Sequence, residues 1–403
     1  MKQVSSLEAG AIDRIDQARA LSRVESWCAI NSGTGNLAGL ACMANLLSQT
    51  LSELPGDLQR FVPEPETAIG KDGQPVLVER GAHLLLSVRP EASRRLLMTG
   101  HMDTVFPQGH PFDHLTWRDQ QTLNGPGVAD MKGGIAVMTE ALLAFEDSPG
   151  ADRIGYDVLI NSDEETGSLT SAPLIARAAA GKHAALTYEP SALPDGTLAG
   201  ERSGSGNYVL VIHGRSAHAG RNPEDGRNAI VAAAALALGL KAMERGSLRI
   251  NPAAIDGGSA VNVVPDLAML RFNLRAKSEA ETDGFNRDLQ VLIARISAEH
   301  DVSIHRHGGV SRPPKRIDEP ARKLFELVRD CGAALGQDIR WQDSGGVCDG
   351  NNIAACGVPV VDTLGVRGGA IHSADEYLIV PSLAERAALS TLILMRLADG
   401  ALA

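Results

Sequence analysis

The chain has 403 residues, 44% of them apolar, which is material for a large core and for two domains. Its 38 basic residues face 49 acidic ones, a net charge of −11, and they form no cluster interleaved with aromatics, so nucleic acid is not an expected partner. No stretch reaches the roughly eighteen apolar residues that span a bilayer, and the first residues hold no apolar run of signal-peptide length. Cys28, Cys42, Cys331, Cys348 and Cys356 include no Cys-x-x-Cys pair. A cytoplasmic protein with reduced thiols and no membrane partner is expected.

Apolar spacing at Ile12, Ile15, Leu21, Val24 and Trp27 predicts helix early in the chain, and another helix starts near Asn36. The glycine-rich break between them, with Gly33, Gly35 and Gly39, follows no strand and matches neither phosphate-binding fingerprint. It reads as a turn. Predicted strands 83–88, 94–100, 155–162 and 184–188 alternate with helices 133–145 and 170–180. That order predicts an α/β domain with a mixed, mainly parallel sheet flanked by helices.

After Pro190 and the turn Leu193-Pro194-Asp195-Gly196, the rhythm changes. Strand 208–213, helix 226–245, strands 247–255 and 267–275, helix 278–300 and strand 302–307 give the β-α-β-β-α-β order of a ferredoxin-like domain. Ser311-Arg312-Pro313-Pro314 reads as a linker. Helix 319–335, strand 358–364 and a helix after Pro381 then resume the first pattern. The expected organisation is a first domain made of residues 1–201 and 314–403, interrupted by an inserted domain at 202–313. The helix at 226–245 is apolar nearly all round, which predicts burial on more than one side and a partner subunit.

The apolar run Leu96-Leu97-Met98 leads into His101 and Asp103, spaced so that imidazole and carboxylate fall on one side. The imidazole suits a metal, and the carboxylate suits the other ring nitrogen. Asp130 lies in a glycine-rich turn before a predicted helix, and Asp163-Glu164-Glu165 ends a buried strand. Three adjacent acids repel one another unless they share a cation or a proton. Glu189 ends the next strand, and His372 follows near the C-terminus. In an open parallel sheet, strand ends converge on one crevice. Two histidines and three or four carboxylates meeting there suit two zinc ions sharing a bridging carboxylate.

His101-x-Asp103, Gly125-Pro126-Gly127-x-x-Asp130-Met131-Lys132-Gly133-Gly134, Asp163-Glu164-Glu165-x-Gly167-Ser168, Glu189-Pro190 and His372-Ser373 occur in this order. Together they resemble the co-catalytic zinc aminoacylase and carboxypeptidase family, closest to its glutamate carboxypeptidase branch. Gly214-Arg215-Ser216-Ala217-His218-Ala219-Gly220 and Val261-Asn262-Val263-Val264-Pro265 look like that family's lid motifs. The resemblance implies a zinc-peptidase-type catalytic domain with an inserted lid and dimerisation domain. It implies two zinc ions per subunit, replaceable by cobalt or manganese. His101 and Glu189 would serve one, Glu165 and His372 the other, with Asp130 between them. A cis peptide bond is expected after Asp130. Glu164 is then the free carboxylate, able to take a proton from attacking water and return it to the departing amine. Asp103 supports His101.

The same resemblance has His218 reach across a homodimer interface to stabilise the oxyanion, while Asn262 and Arg275 help to bind substrate. Arg275 suits a carboxylate because its planar fork can hold both oxygens. The segment 344–351, with Gly346, stands where relatives carry a carboxylate-binding loop. Cys348 within it departs from the family pattern, as a residue that either shapes the pocket or fills space. Glu189 favours peptidases and deacylases over the related carbamoylases, which tend to use histidine there. The expected activity is zinc-dependent cleavage of an amide bond beside a free carboxylate, in a small peptide or an N-acyl amino acid. A glutamate-carboxypeptidase-like exopeptidase leads. An N-acyl-amino-acid deacylase is the alternative, and a catalytically silent metal-binding protein a distant third.

Overall fold

Strand Arg95–His101 places Leu96 and Met98 on one face and Leu97 on the other, and all three are buried. The same alternation runs through Val158, Leu159 and Ile160 of Gly155–Asn161, and through Ala184, Ala185 and Leu186 of Ala184–Thr187. Strands apolar on both faces need cover on both. One face packs into the large core with helices Gln17–Cys28, Leu37–Leu51, Lys132–Glu146 and Ser382–Ala398. The other is covered by Ala172–Ala179 and Asp349–Ala355. The computed structural model describes residues 3–402.

The six strands run in the order Asp57–Phe61, His83–Val88, Gly155–Asn161, Arg95–His101, Ala184–Thr187, Val360–Val361. The first two pairings are antiparallel and the other three parallel, the expected mixed sheet. The edge strand Asp57–Phe61 was not predicted. It has no fully buried residue, so its pattern lacks the alternation that marks a half-buried strand.

A separate four-stranded antiparallel sheet runs Arg249–Gly257, Leu267–Ala276, Gly204–His213, Ser303–Arg312. With helices Ala229–Ala242 and Glu279–His300 it forms the anticipated ferredoxin-like arrangement and a second core. Tyr208, Leu210 and Ile212, with Leu270, Phe272 and Leu274, face those helices. Tyr208 and Phe272 stack at 4.9 Å, and Phe285 meets them edge-on at 5.6 and 6.1 Å. By strand alternation, Ser205, Asn207, Asn273 and Arg275 point to the opposite face, and all four line the crevice described below.

Helix Ala229–Ala242 is shorter at both ends than the predicted 226–245. Asn228 starts it by accepting a hydrogen bond from Val231 N at 3.1 Å. Within the chain it buries one side only, through Ala229, Ala232, Ala233, Leu236 and Leu240, while Val231 and Leu238 remain 50% and 75% exposed. Among the described residues, no helix is long and apolar enough to cross a membrane.

The aromatic contacts make Phe285 the residue on which the second core should depend. Phe285→Ala is expected to destabilise the protein by about 3–5 kcal/mol, read as a lower denaturation midpoint. A loss below about 1 kcal/mol would mean that these rings are not close-packed.

Candidate metal centre and crevice

The chemistry-bearing side chains sit where elements of the first domain end. His101 closes Arg95–His101, Glu164 and Glu165 follow Gly155–Asn161, and Glu189 follows Ala184–Thr187. These are the carboxyl ends of three adjacent parallel strands, where the fold leaves a crevice. Asp130 lies just before helix Lys132–Glu146, and its peptide bond to Met131 is cis, as expected. His372 is carried between the paired strands Gly368–Gly369 and Tyr377–Ile379, in the left-handed region at φ 63°. That conformation is uncommon without glycine.

Asp130 stands at the centre. Its Oδ1 is 3.1 Å from His101 Nε2, and its Oδ2 is 3.2 Å from His372 Nε2. Glu189 Oε2 lies 3.7 Å from His101 Nε2, and Glu165 Oε2 lies 3.3 Å from His372 Nε2. Two imidazole–carboxylate pairs therefore share one carboxylate, side chains grouped as the family resemblance implies. The crowding also permits other groupings. Ligand atoms of His101, Asp130 and Glu165, and again of His101, Glu164 and Glu189, lie within 4.8 Å of one another.

Burial sets the electrostatics. It pushes Glu165 up to about 7, with the Asp130 charge adding to the effect, and it raises Glu164 and Glu189 as well. Hydrogen bonds to Asp130 and Glu165 raise His372 to about 10. Burial would lower His101, but Glu189, Asp103 and Asp130 outweigh it and raise it. Burial opposes ionisation of Asp130 too, yet the two imidazoles hold it well below the usual carboxylate range. A site that pulls protons into itself in this way is built for positive charge. Imidazole nitrogens and carboxylate oxygens are ligands for zinc, cobalt or manganese, so the residues fit divalent cations.

Two expected roles change in detail. His101 Nδ1 is 2.9 Å from the backbone carbonyl of Asp103 and 3.4 Å from its carboxylate, so the main chain supplies the closer partner. The Asp103 carboxylate instead accepts from Thr34 Oγ1 at 2.7 Å and from the backbone N–H groups of Glu164 and Glu165, both at 3.2 Å. It fixes the loop that carries the two glutamates. Glu164, expected to be free of metal, has a partner: Arg312 Nη2 lies 2.7 Å from its Oε1 and donates to its backbone carbonyl at 2.8 Å. Arg312 also bonds Ser168 Oγ at 2.9 Å. Nothing in the run Ser311-Arg312-Pro313-Pro314 signalled this, because an arginine beside two prolines looks like solvated linker.

The crevice encloses about 990 Å³. Arg275 lines it, and the hydrogen bonds of its guanidinium go to neutral oxygens, Asn273 Oδ1 at 3.0 Å and Gly345 O at 3.4 Å. Gly346 lines it as well, its carbonyl accepting from Arg202 at 3.2 Å. Cys348 has a definite role. Its Sγ accepts from Gly350 N at 3.3 Å, capping helix Asp349–Ala355, and it donates to Asp362 Oδ2 at 3.5 Å. Burial holds this thiol well above its ordinary value, in keeping with a structural rather than reactive cysteine. Behind it, Arg202 and Lys315 both bond Asp362, at 2.8 and 2.7 Å, a buried anchor whose members lie too far apart in the chain to be paired by spacing. Among the described residues lining the crevice, neither His218 nor Asn262 appears. Both are exposed on the second sheet's loops, tied by the Ala219 N to Asn262 O bond at 2.9 Å.

The chain is 28% identical over 396 residues to carboxypeptidase G2 of Pseudomonas sp. (strain RS-16), covering 96% of this chain and 91% of that enzyme. It is 29% identical over 311 residues to succinyl-diaminopimelate desuccinylase of Pseudomonas syringae pv. syringae, covering 72% and 78%. The same fold occurs in the YXEP protein of Bacillus subtilis, a dinuclear metal-binding peptidase, with TM-score 0.66 and 14% identity over 94% of this chain and 98% of that one. The model of peptidase family M20/M25/M40 matches residues 97–396. The chain belongs to that family, and its chemistry is the hydrolysis of peptide or amide bonds.

Proposed function

We propose that this hydrolase binds two divalent cations, zinc in the first instance, and cleaves an amide bond beside a free carboxylate, as a glutamate-carboxypeptidase-like exopeptidase. The observation that carries the substrate class is Arg275, a guanidinium in the crevice of the metal-type residues whose hydrogen bonds go only to neutral oxygens. A substrate carboxylate would be its charged partner. His101 and Glu189 would hold one cation and His372 and Glu165 the other, with one Asp130 oxygen for each. The dinuclear YXEP protein supports that count.

Bound cations would polarise the scissile carbonyl and lower the pKa of water. The chain supplies the rest. Glu164 takes a proton from the attacking water and delivers it to the leaving amine. Arg312 fixes one oxygen of Glu164 and offsets part of the burial that would neutralise it. Asp103 holds the loop of Glu164 and Glu165 in place. Residues 202–313 act as a lid whose polar face, with Asn207, Asn273 and Arg275, lies over the substrate. The five cysteines are free, in keeping with a reducing cytoplasm.

A second reading, an N-acyl-amino-acid deacylase, is favoured by the desuccinylase relative. Short peptides and N-acyl amino acids assayed side by side for amine release separate the two. Peptides with C-terminal glutamate are expected to turn over fastest, and activity on neither class would reject both readings.

The assignment of Glu164 predicts that Glu164→Gln keeps its metal but loses about 10²–10⁴-fold in turnover, because an amide fills the space without accepting a proton. His101→Ala and Asp130→Ala should lose metal. Equal metal loss in all three, measured by elemental analysis, would make Glu164 a ligand.

We further propose a homodimer through the lid domain, with His218 of one subunit completing the site of the other. Its support is the outward position of His218 and the exposed Val231 and Leu238 on one helix face. Mixing inactive His218→Ala with inactive Glu164→Gln under subunit exchange should restore activity, because one site in each mixed dimer is then wild type. No recovery after proven exchange, or a monomer in solution, removes the trans role.

A further inference from the structure

Glu376 follows His372 closely in the chain, is 1% exposed, and has no place in the ligand set above. Its carboxylate is turned into the loop that leads to Asp130. Oε1 accepts from Ala129 N and Asp130 N, both at 3.0 Å, and Oε2 accepts from Gly127 N at 3.2 Å. Its backbone carbonyl accepts from Asn124 Nδ2 at 2.6 Å and from Gly125 N at 3.3 Å. Backbone N–H groups turned toward one point form an anion-binding concavity, and this one holds the protein's own carboxylate.

The grip has a geometric consequence. Orienting the amides of Gly127, Ala129 and Asp130 sets the peptide planes before Asp130, and so the direction in which its side chain leaves the backbone. The same residue belongs to the segment that carries His372, whose Nε2 lies 3.2 Å from Asp130 Oδ2. Glu376 therefore joins the segment of one imidazole to the loop of the shared carboxylate. A displacement of that loop would disturb both imidazole–carboxylate pairs together.

We propose that Glu376 is a positioning residue that holds the Asp130 carboxylate between His101 and His372, so that both cation sites exist at once. This rests on the two-cation reading given above. It makes Glu376 part of the metal centre's support without contact to metal or substrate. Partners that orient metal ligands are worth about 10–100-fold in affinity when removed.

In Glu376→Gln the side-chain amide presents an NH₂ where one carboxylate oxygen was, so at least one of the three N–H groups loses its acceptor. Zinc is titrated into metal-free protein against a chromophoric chelator, and the thermal midpoint of the metal-free protein is measured alongside. Zinc binding is expected to weaken about 10–100-fold in protein that is folded before metal is added. If the midpoint falls but folded protein binds zinc as tightly as wild type, Glu376 is only a loop staple and the proposal is overturned. Should Glu376→Gln not fold, Glu376→Asp, which keeps the carboxyl group but is one methylene shorter, is read by the same criterion. Wild-type protein that binds no zinc, or Asp130→Ala that binds it normally, would remove the two-cation reading and this proposal with it. Normal binding by the Glu376 variant beside a working wild type would remove this proposal alone.

Discussion

The carboxylates of Asp130, Glu164, Glu165 and Glu189 crowd into one crevice, with the imidazoles of His101 and His372 against them and the Arg312 guanidinium on Glu164. Like charges in a low dielectric repel strongly, and such a cluster persists only where positive charge or shared protons offset it. The raised values of Glu164, Glu165, Glu189, His101 and His372 express that demand. In the proposed function the same demand would serve twice, first to hold cations and then to keep one carboxylate ready for a proton.

Such a cluster also needs rigid walls, because carboxylates free to swing would relax into solvent. The three parallel strands that deliver His101, Glu164 with Glu165, and Glu189 are buried on both faces, so their ends cannot shift without opening two cores. The loops beyond them are tied by buried carboxyl groups instead. Asp103 binds the amides of Glu164 and Glu165, and Glu376 binds those of Gly127, Ala129 and Asp130. Two acids of the sequence thus hold backbone in place, while others of the same type face the crevice.

That division explains what was legible from residues alone. Strand positions followed from two-sided apolar runs, and the acids and histidines at their ends followed from the convergence of parallel strands. The ferredoxin-like order was readable because its strands and helices are long and periodic. Shorter pieces, such as Leu198–Arg202 and its partner Trp341–Ser344, have too few residues for a period to appear. Arg312 was hidden by its prolines. Glu376 was hidden because a carboxylate that satisfies main-chain amides has no spacing rule: its partners lie far away in sequence and their side chains do not matter. The same holds for Asp103, whose pairing with the His101 ring was inferred from strand spacing, whereas the ring's closer partner is the Asp103 backbone carbonyl and the carboxylate holds backbone amides.

Arg312 gives the last link, from architecture to chemistry. It ends the strand Ser303–Arg312 of the second sheet, yet its guanidinium reaches Glu164 and Ser168 of the first domain. The neighbouring strands of that sheet bring Asn207, Asn273 and Arg275 to the same crevice. One rigid sheet therefore carries both the cation suited to a substrate carboxylate and the cation that fixes the proposed base. Any movement of this sheet relative to the first domain would change substrate grip and base position together. If residues 202–313 act as the proposed lid, closure would align binding with proton transfer through a single rigid body, with no separate signal between the two sites.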